Sequence, residues 1–126
     1  MQTFHPVLTY EDAHGALDFL ERAFGFERKE VHEGSGGGVA HAELAFAGGV
    51  VGLSSVSEGD PRFNQGAGRT TVYVVVDEPD PIFARAREAG AEVLMEPTDQ
   101  EYGSRDFAVR DPEGNIWAFG TYSPEA

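Results

Sequence analysis

The segment that most constrains the fold is a strand–turn–strand pattern near the C-terminal end of the chain. Phe107 and Val109 alternate with other residues before the turn, and Trp117 and Phe119 alternate after it, which is the period-two pattern of β-strands. Residues 111–115 read Asp-Pro-Glu-Gly-Asn, where proline presets φ and glycine accepts the positive φ of a tight reversal. The sequence therefore predicts a hairpin whose large side chains enter the core. The opposite face of its second strand carries Ile116, Ala118 and Gly120.

The same order of elements occurs twice along the chain. A strand is followed by a helix that starts at Glu11-Asp12 and ends at Gly25, and the pattern returns about 65 residues later with Asp77-Glu78 and Gly90. The sequence predicts an α+β fold in one domain, 1–126, built from two βαβββ units at 1–56 and 69–126. A long linker, 57–68, joins them and could serve as a lid. The predicted strands cover 3–10, 26–32, 39–46, 50–55, 69–76 and 91–95, followed by the C-terminal hairpin, and Gly34 to Gly38 form a flexible loop.

Alternation gives each predicted strand one face toward a helix and one open face. The pattern predicts that the first helix packs on Phe4, Leu8, Leu44, Phe46, Val51 and Leu53, and the second on Val72, Val74, Val76, Trp117 and Phe119. The open faces then carry His5, Val7, Thr9, His41, Glu43, Ala45, Gly52, Ser54, Thr71, Tyr73 and Val75, together with the small residues of the last strand. If Ala47 pairs with Val50, then Ala45 lies opposite Gly52, and Glu43 lies opposite Ser54.

Composition excludes several classes of function. The formal net charge is −13 and Lys29 is the only lysine, which argues against nucleic-acid binding and against docking on anionic membranes. The chain has no cysteine, so disulfides and thiolate chemistry are excluded. No apolar run is long enough for a membrane span and no signal peptide is recognisable, so a cytoplasmic protein is expected. The negative charge favours a cationic small ligand.

Paired βαβββ units that end in Asp-Pro-Glu-Gly-Asn-Ile-Trp resemble the vicinal oxygen chelate superfamily. The family includes glyoxalase I, extradiol dioxygenases, fosfomycin-resistance enzymes and bleomycin-resistance proteins. The resemblance covers nearly the whole chain and includes His5-Pro-Val-Leu, the helical segment 16–26, His41-Ala-Glu-Leu and Tyr102-Gly-Ser-Arg. It implies a curved mixed sheet around a cleft, and pairing of two chains as a homodimer.

The resemblance also implies four positions at which metal-dependent members hold an ion. They match His5, Gly52, Thr71 and Ala118, of which only His5 carries a usual ligand, whereas a catalytic divalent site needs about three. We therefore predict no metal and no other cofactor. An unconventional site through His5, His41 and Glu43 has suitable atoms, but an intervening strand would hold the outer members too far apart.

These considerations predict a metal-independent protein of the bleomycin-resistance kind that binds a small organic molecule, aromatic or cationic, in its cleft. The alternative is a small-molecule lyase, transferase or oxygenase of the same superfamily, using an unconventional metal site or an acid–base pair of His5 with Tyr73 or Glu43. A structural or regulatory dimer without a ligand is a third possibility. The predicted substrate-binding residues are His5, Glu43, Gly52, Ser54, Phe63, Thr71, Tyr73, Tyr102, Arg105 and Ala118.

Overall fold

The chain forms two compact units, Met1–Gly68 and Arg69–Ala126. The computed structural model describes residues 2–58, 60, 62 and 66–124. Each unit contains one strand, one helix and three further strands, so the predicted pair of βαβββ units is confirmed. The elements are β1 (Val7–Tyr10), α1 (Ala13–Phe24), β2 (Glu27–Glu33), β3 (Val39–Phe46), β4 (Gly49–Ser55), β5 (Thr71–Val75), α2 (Pro79–Glu88), β6 (Glu92–Asp99), β7 (Arg105–Arg110) and β8 (Ile116–Gly120), with a 3-10 turn at Val56–Glu58. Neither described helix has the length and apolar character needed to cross a membrane.

The first unit is a four-stranded mixed sheet in the order β1-β4-β3-β2, with β1 parallel to β4. Helix α1 begins where expected, because the Asp12 carboxylate accepts a hydrogen bond from the Gly15 amide at 3.0 Å. It ends at Gly25, whose φ of 77° is the left-handed conformation that glycine adopts without steric cost. The apolar face of α1 is buried through Ala13, Ala16, Leu17, Phe19, Leu20, Ala23 and Phe24.

The second unit repeats this arrangement in the order β5-β8-β7-β6, with β5 parallel to β8. Helix α2 starts with Pro79 in its first turn, where the missing amide hydrogen costs nothing. Its Phe83 packs edge-on against Phe107, with 5.4 Å between the ring centroids. Phe107 in turn stacks on Phe119 at 5.0 Å, and both side chains are fully buried. The predicted core residues of the C-terminal hairpin are therefore confirmed.

The predicted turn of that hairpin is also confirmed. The Asp111 amide donates to the Asn115 carbonyl at 2.9 Å, and the Gly114 amide donates to the Asp111 carbonyl at 3.0 Å. Gly114 has φ of 95°, which explains why glycine stands at this position. The ladder places Val109 opposite Trp117, so the turn fixes the register of β7 against β8.

Phe4 does not pack on α1, and that prediction is wrong. Its side chain is 85% exposed, whereas Leu8 and Tyr10 of β1 are buried. The ladder between β1 and β4 begins only at Val7. The Val50 amide and carbonyl, which an earlier residue of β1 would otherwise bond, are bonded by the side-chain amide of Gln2. Because Phe4 lies outside the ladder, the alternation that fixes side-chain direction does not extend to it.

The β3–β4 register differs by two residues from the predicted one. Glu43 lies opposite Gly52, not Ser54, and Ala45 lies opposite Val50. The reason is a two-residue turn in which Ala47 and Gly48 both have positive φ, of 50° and 87°. A shift by two residues leaves every side chain on its predicted face, so the assignment of His41, Glu43 and Ala45 to the open face holds.

Strand β6 runs to Asp99, well beyond the predicted end at Met95. Pro97 suggests a strand end from sequence, since proline donates no backbone hydrogen bond. Strand β6 lies at the edge of its sheet, however, and its pairing with β7 is irregular between Met95 and Thr98. Edge strands and bulges are the places where a sheet tolerates proline.

The glycine-rich loop before β3 packs closely around Glu58. The Gly38 amide donates to the Glu58 carboxylate at 3.2 Å, and the Gly34 amide donates to the Gly38 carbonyl at 2.7 Å. A Cβ atom on Gly34 or Gly36 would overlap the Glu58 side chain. These glycines therefore allow a close approach to a carboxylate, a role that the prediction of a merely flexible loop does not include.

The strained Ala47 gives a first prediction. Replacing Ala47 with asparagine creates the Asn-Gly pair that type I′ hairpin turns prefer, since asparagine tolerates positive φ better than alanine. We expect the free energy of unfolding to rise by roughly 0.5–1 kcal/mol and the melting temperature by a few degrees. Thermal and urea unfolding would measure this. The control is Ala40→Asn, at an exposed position of β3, where the same substitution should be neutral or destabilising. A similar gain in both variants would contradict the explanation.

Candidate functional site

The candidate residues lie in both units, and those that belong to a ladder, except Arg105, lie on the sheet face turned away from the helix of their own unit. In the first unit, Glu43 and Gly52 are direct cross-strand neighbours. Gly52 in turn lies opposite Val7, and Glu43 lies opposite Glu30. One row across the sheet therefore reads Val7, Gly52, Glu43, Glu30, with two carboxylates at one end and apolar or small residues at the other.

His41 belongs to this row through its side chain. Its Nε2 atom lies 3.1 Å from Glu43 Oε2, and its ring lies beside Gly52, 3.6 Å from the position that a Cβ atom would take there. Val7 approaches the same position to 3.3 Å. Gly52 is therefore buried beneath two side chains, so the space left by its missing side chain is already occupied.

The other two candidates of the first unit lie away from this row. His5 precedes β1 and is exposed, so it is not part of the hydrogen-bonded ladder. Ser54 is half-buried and lies one row further along β4, opposite Thr9. The structure thus brings Glu43, His41 and Gly52 together, places Ser54 in the adjacent row of the same face and leaves His5 outside the ladder.

In the second unit, small residues form the middle of the open face. Ala118 lies opposite Tyr73 on one side and opposite Ala108 on the other, and Ala108 lies opposite Met95. The row therefore has two alanines flanked by an aromatic and a thioether side chain. Such a row offers apolar contact area at the centre and larger side chains at its borders. Thr71 lies one row further along β5, opposite Ile116.

A buried carboxylate lies beside this row. Asp106 is only 6% exposed, and it accepts hydrogen bonds from the Ser104 hydroxyl and, at 2.7 Å, from the Tyr102 hydroxyl. The carboxylate lies directly over Gly120, its cross-strand partner. A Cβ atom on Gly120 would overlap it. The Tyr73 hydroxyl approaches the same point to 2.6 Å. The Asp106 carboxylate can therefore occupy this place only because residue 120 is a glycine.

Three tyrosines lie near the Asp106 carboxylate: Tyr102 donates to it, Tyr73 approaches it over Gly120, and Tyr122 contacts the Tyr102 ring. Tyr73, Tyr102 and Tyr122 are all exposed in part, and the rings of Tyr102 and Tyr122 meet edge to face with 6.1 Å between centroids. The hydrogen bond to Asp106 raises the pKa of Tyr102, and the negative charge of that carboxylate acts in the same direction. The phenol of Tyr102 is thereby held in its protonated, donating form. We call Tyr73, Tyr102, Tyr122 and Asp106 the tyrosine–aspartate cluster.

Arg105 is not part of this cluster. It faces α2, where its guanidinium donates to both carboxylate oxygens of Asp80, at 2.8 and 2.9 Å, and to Asp99 at 3.1 Å. These hydrogen bonds raise the pKa of Arg105 and lower that of Asp80. The structure therefore shows Arg105 in the ion-pairing role, with its charge already compensated by two acids.

Asp106 and Tyr122 were not among the site residues predicted from the sequence. Asp106 has the open-face parity of Ala108, but the predicted strand begins only at Phe107 and excludes it. The signal that could have revealed it is Gly120, since a strand glycine often marks a close approach of another group. Phe63, also a predicted site residue, lies outside the described residues.

The four positions that correspond to the metal ligands of the resembled superfamily do not fit a divalent ion. Gly52 has no side chain and Ala118 has no donor atom, and Ala118 lies between an alanine and a tyrosine. A Thr71 hydroxyl is a weak substitute for an imidazole or carboxylate ligand. In the described part of the chain, no three histidine, aspartate or glutamate side chains converge closely enough to hold a metal ion as they stand.

Comparison with known proteins gives a consistent result. The sequence model of the Glyoxalase/Bleomycin resistance protein/Dioxygenase superfamily matches residues 2–119. The uncharacterized protein Mb0911c of Mycobacterium bovis is 33% identical over 121 residues, which are 91% of this chain and 80% of that protein. TioX from Micromonospora sp. ML1 is 31% identical in sequence. The match to its crystal structure covers 98% of this chain and 100% of the TioX chain, with a TM-score of 0.81. A glyoxalase/bleomycin resistance protein from Streptomyces sp. CB03234 shares the fold, with a TM-score of 0.72 at 23% identity over 91% of this chain and 96% of that one.

Proposed function

The chain belongs to the glyoxalase/bleomycin resistance protein/dioxygenase superfamily, and on that premise we propose that it binds a small aromatic cation without a metal ion. The proposed binding surface is the open face of the second unit. The observation that carries the proposal is the tyrosine–aspartate cluster, in which a nearly buried carboxylate accepts a hydrogen bond from one of three neighbouring, partly exposed tyrosines. Family membership alone supports neither the ligand class nor this location.

The chemistry of the cluster favours a cation. A carboxylate that is shielded from water attracts a positive charge more strongly than an exposed one, because the local dielectric constant is lower. Phenol rings add cation–π attraction when the charge lies over a ring face. The net charge of −13 raises the local concentration of cations around the protein as a whole.

The row beside the cluster favours a flat, apolar ligand body. The side chains of Ala118 and Ala108 are short and project little from the sheet, so a planar ring system can lie against them. It can then contact Tyr73 or Met95 at the border of the row. Tyr102 is 67% exposed and belongs to the turn between β6 and β7, so a ligand can reach its ring while its hydroxyl stays bonded to Asp106. The site thus offers an apolar surface, a negative charge and an accessible aromatic side chain.

The proposal is tested with two probes of nearly the same shape. N-methylacridinium carries a permanent charge, whereas acridine is neutral at mildly alkaline pH. We expect the cation to bind at least about 10-fold more tightly, as measured by fluorescence titration or calorimetry. Asp106→Asn removes the charge but keeps the size of the side chain, and it should abolish this preference.

The matched control is Asp99→Asn, which removes a carboxylate of β6 that is paired with Arg105 on the other side of the sheet. This variant should retain the full preference for the cation. Equal binding of the two probes by the wild-type protein would overturn the proposed ligand class. A preference that survives in Asp106→Asn, or is lost in Asp99→Asn, would overturn the proposed location.

A further inference from the structure

Four side chains of metal-ligand type form two neighbouring cross-strand pairs on the open face of the first unit, whereas the tyrosine–aspartate cluster belongs to the second unit. Glu30 lies opposite Glu43, and His32 lies opposite His41, on the antiparallel strands β2 and β3. We propose that Glu30, His32, His41 and Glu43 bind one divalent transition-metal ion, with zinc as the best match. We call these residues the His–Glu square. They do not coincide with the four metal positions that the superfamily uses, of which none lies on β2 or β3.

The side chains are already in contact along both strands. His41 Nε2 lies 3.1 Å from Glu43 Oε2, and His32 Nε2 lies 3.5 Å from Glu30 Oε2. Across the strands, the two imidazole rings are nearly parallel, with 6.4 Å between their centroids. As they stand, the imidazoles face their glutamates, so two His–Glu pairs exist in place of one convergent site.

Convergence requires only side-chain rotation. Directly opposite residues of an antiparallel pair have Cβ atoms about 5 Å apart, and residues two apart on one strand lie about 7 Å apart. Rotation would have to bring the donor atoms to about 2.0–2.2 Å from an ion above the centre of this square. The imidazoles must turn from their glutamates toward the centre, which their partial exposure allows.

The backbone supports this arrangement. The β2–β3 pairing is irregular on both sides of the segment that carries Glu30 and His32, between Arg28 and Glu30 and between His32 and Glu33. Bulges re-aim the side chains of a strand, and here they bracket the two residues of β2 that belong to the square. The ladder itself fixes the opposite pairs, so little backbone entropy is lost on binding.

Electrostatics supplies a reason for a cation at this place. Like charges directly opposite each other destabilise a sheet, and Glu30 and Glu43 are such a pair. A dication between them converts this repulsion into attraction. Two imidazoles and two carboxylates are a ligand set typical of zinc, whereas magnesium and calcium prefer oxygen ligands alone.

The test is a calorimetric titration of the tag-free protein with zinc chloride, repeated with cobalt chloride for its visible spectrum. We expect one ion per chain and an intense cobalt spectrum, as tetrahedral coordination gives. His32→Ala and His41→Ala should each weaken zinc binding by about 10-fold or more, and Glu30→Gln by less. All three positions are on the sheet surface, so the variants should remain folded, which circular dichroism would verify.

The matched control is His14→Ala. His14 also pairs with a glutamate, Glu33, at 3.0 Å, but it offers only two ligands and lies outside the square. Its loss should leave zinc binding unchanged. The proposal would be overturned by a wild-type protein that binds no zinc at micromolar concentrations, by equal weakening in His14→Ala, or by binding that survives the double variant His32→Ala/His41→Ala.

Discussion

Asp111→Ala is expected to destabilise the protein by about 3–5 kcal/mol, more than any other single change to a polar side chain of the C-terminal turn. Asp111 is 4% exposed, and both of its carboxylate oxygens accept hydrogen bonds. One oxygen bonds the amides of Glu113 and Asn115, both at 3.0 Å, and the other bonds Trp117 Nε1 at 3.1 Å and Asn115 Nδ2 at 3.4 Å. Removal of the carboxylate leaves these donors without their acceptor. Each buried donor that loses its partner lowers the free energy of unfolding by about 1–3 kcal/mol.

Urea unfolding at neutral pH would measure this loss. Asp111→Asn should also destabilise, though less, because an amide keeps one acceptor oxygen and turns its NH2 group toward the donors of Trp117 and Asn115. The control is Pro112→Ala in the same turn, whose exposed ring makes the expected change smaller than about 1 kcal/mol. A loss below about 1 kcal/mol in Asp111→Ala would show that the four hydrogen bonds are not the reason for this residue.

The consequence of Asp111→Ala extends to the proposed site. The turn fixes β8 against β7, and these strands carry Ala118, Ala108, Gly120 and Asp106. A register shift by one residue would move all of their side chains to the opposite face. We therefore expect the probe cation to bind Asp111→Ala weakly even under conditions where that variant is still mostly folded.

Gly120→Ala is expected to destabilise the protein by about 2–4 kcal/mol and to weaken binding of the probe cation. The added methyl group would overlap the Asp106 carboxylate and approach the Tyr73 hydroxyl to 2.6 Å. Asp106 is short and is held by Ser104 and Tyr102, so it can leave only by breaking both hydrogen bonds. The Tyr73 hydroxyl is the far end of a longer side chain and yields more easily.

A matched control exists in the first unit. Gly52 is also a buried strand glycine, but a methyl group there would meet Val7 at 3.3 Å and His41 at 3.6 Å, both movable side chains. Gly52→Ala should therefore change the free energy of unfolding by less than about 1 kcal/mol. A large loss in both variants would mean that strand glycines are required for backbone reasons and not for Asp106.

A double-mutant cycle isolates the contact between Asp106 and position 120. If the overlap is the cause, Gly120→Ala should cost less than about 1 kcal/mol once Asp106→Ala has removed the carboxylate. An unchanged cost in that background would contradict the proposed contact. Thermal unfolding of the four proteins of the cycle is sufficient, and no ligand is needed, so the result is independent of the proposed function.

Much of the fold was determined by local signals in the sequence. Asp12 marks the start of α1 and Gly25 marks its end, and the apolar residues between them recur at helical spacing. This helix is therefore specified by residues that are close together in the chain. The C-terminal hairpin is specified in the same way, because its turn residues permit only one reversal. Alternation then assigned side chains to the two faces of each sheet, and those assignments hold wherever the residue belongs to a ladder.

The proposed sites, in contrast, depended on which strands become neighbours. Asp106 and Gly120 are 14 residues apart in number and meet only because β7 pairs with β8 in one register. His32 and His41 meet through a ladder with bulges on both sides. Phe4 is exposed because the ladder of its strand begins at Val7, four residues after the predicted start at Thr3. A period of two fixes the face of a side chain but not its cross-strand partner. Local patterns along the chain are therefore sufficient to specify the elements and their faces, whereas the pairing of distant strands specifies which polar groups share a site.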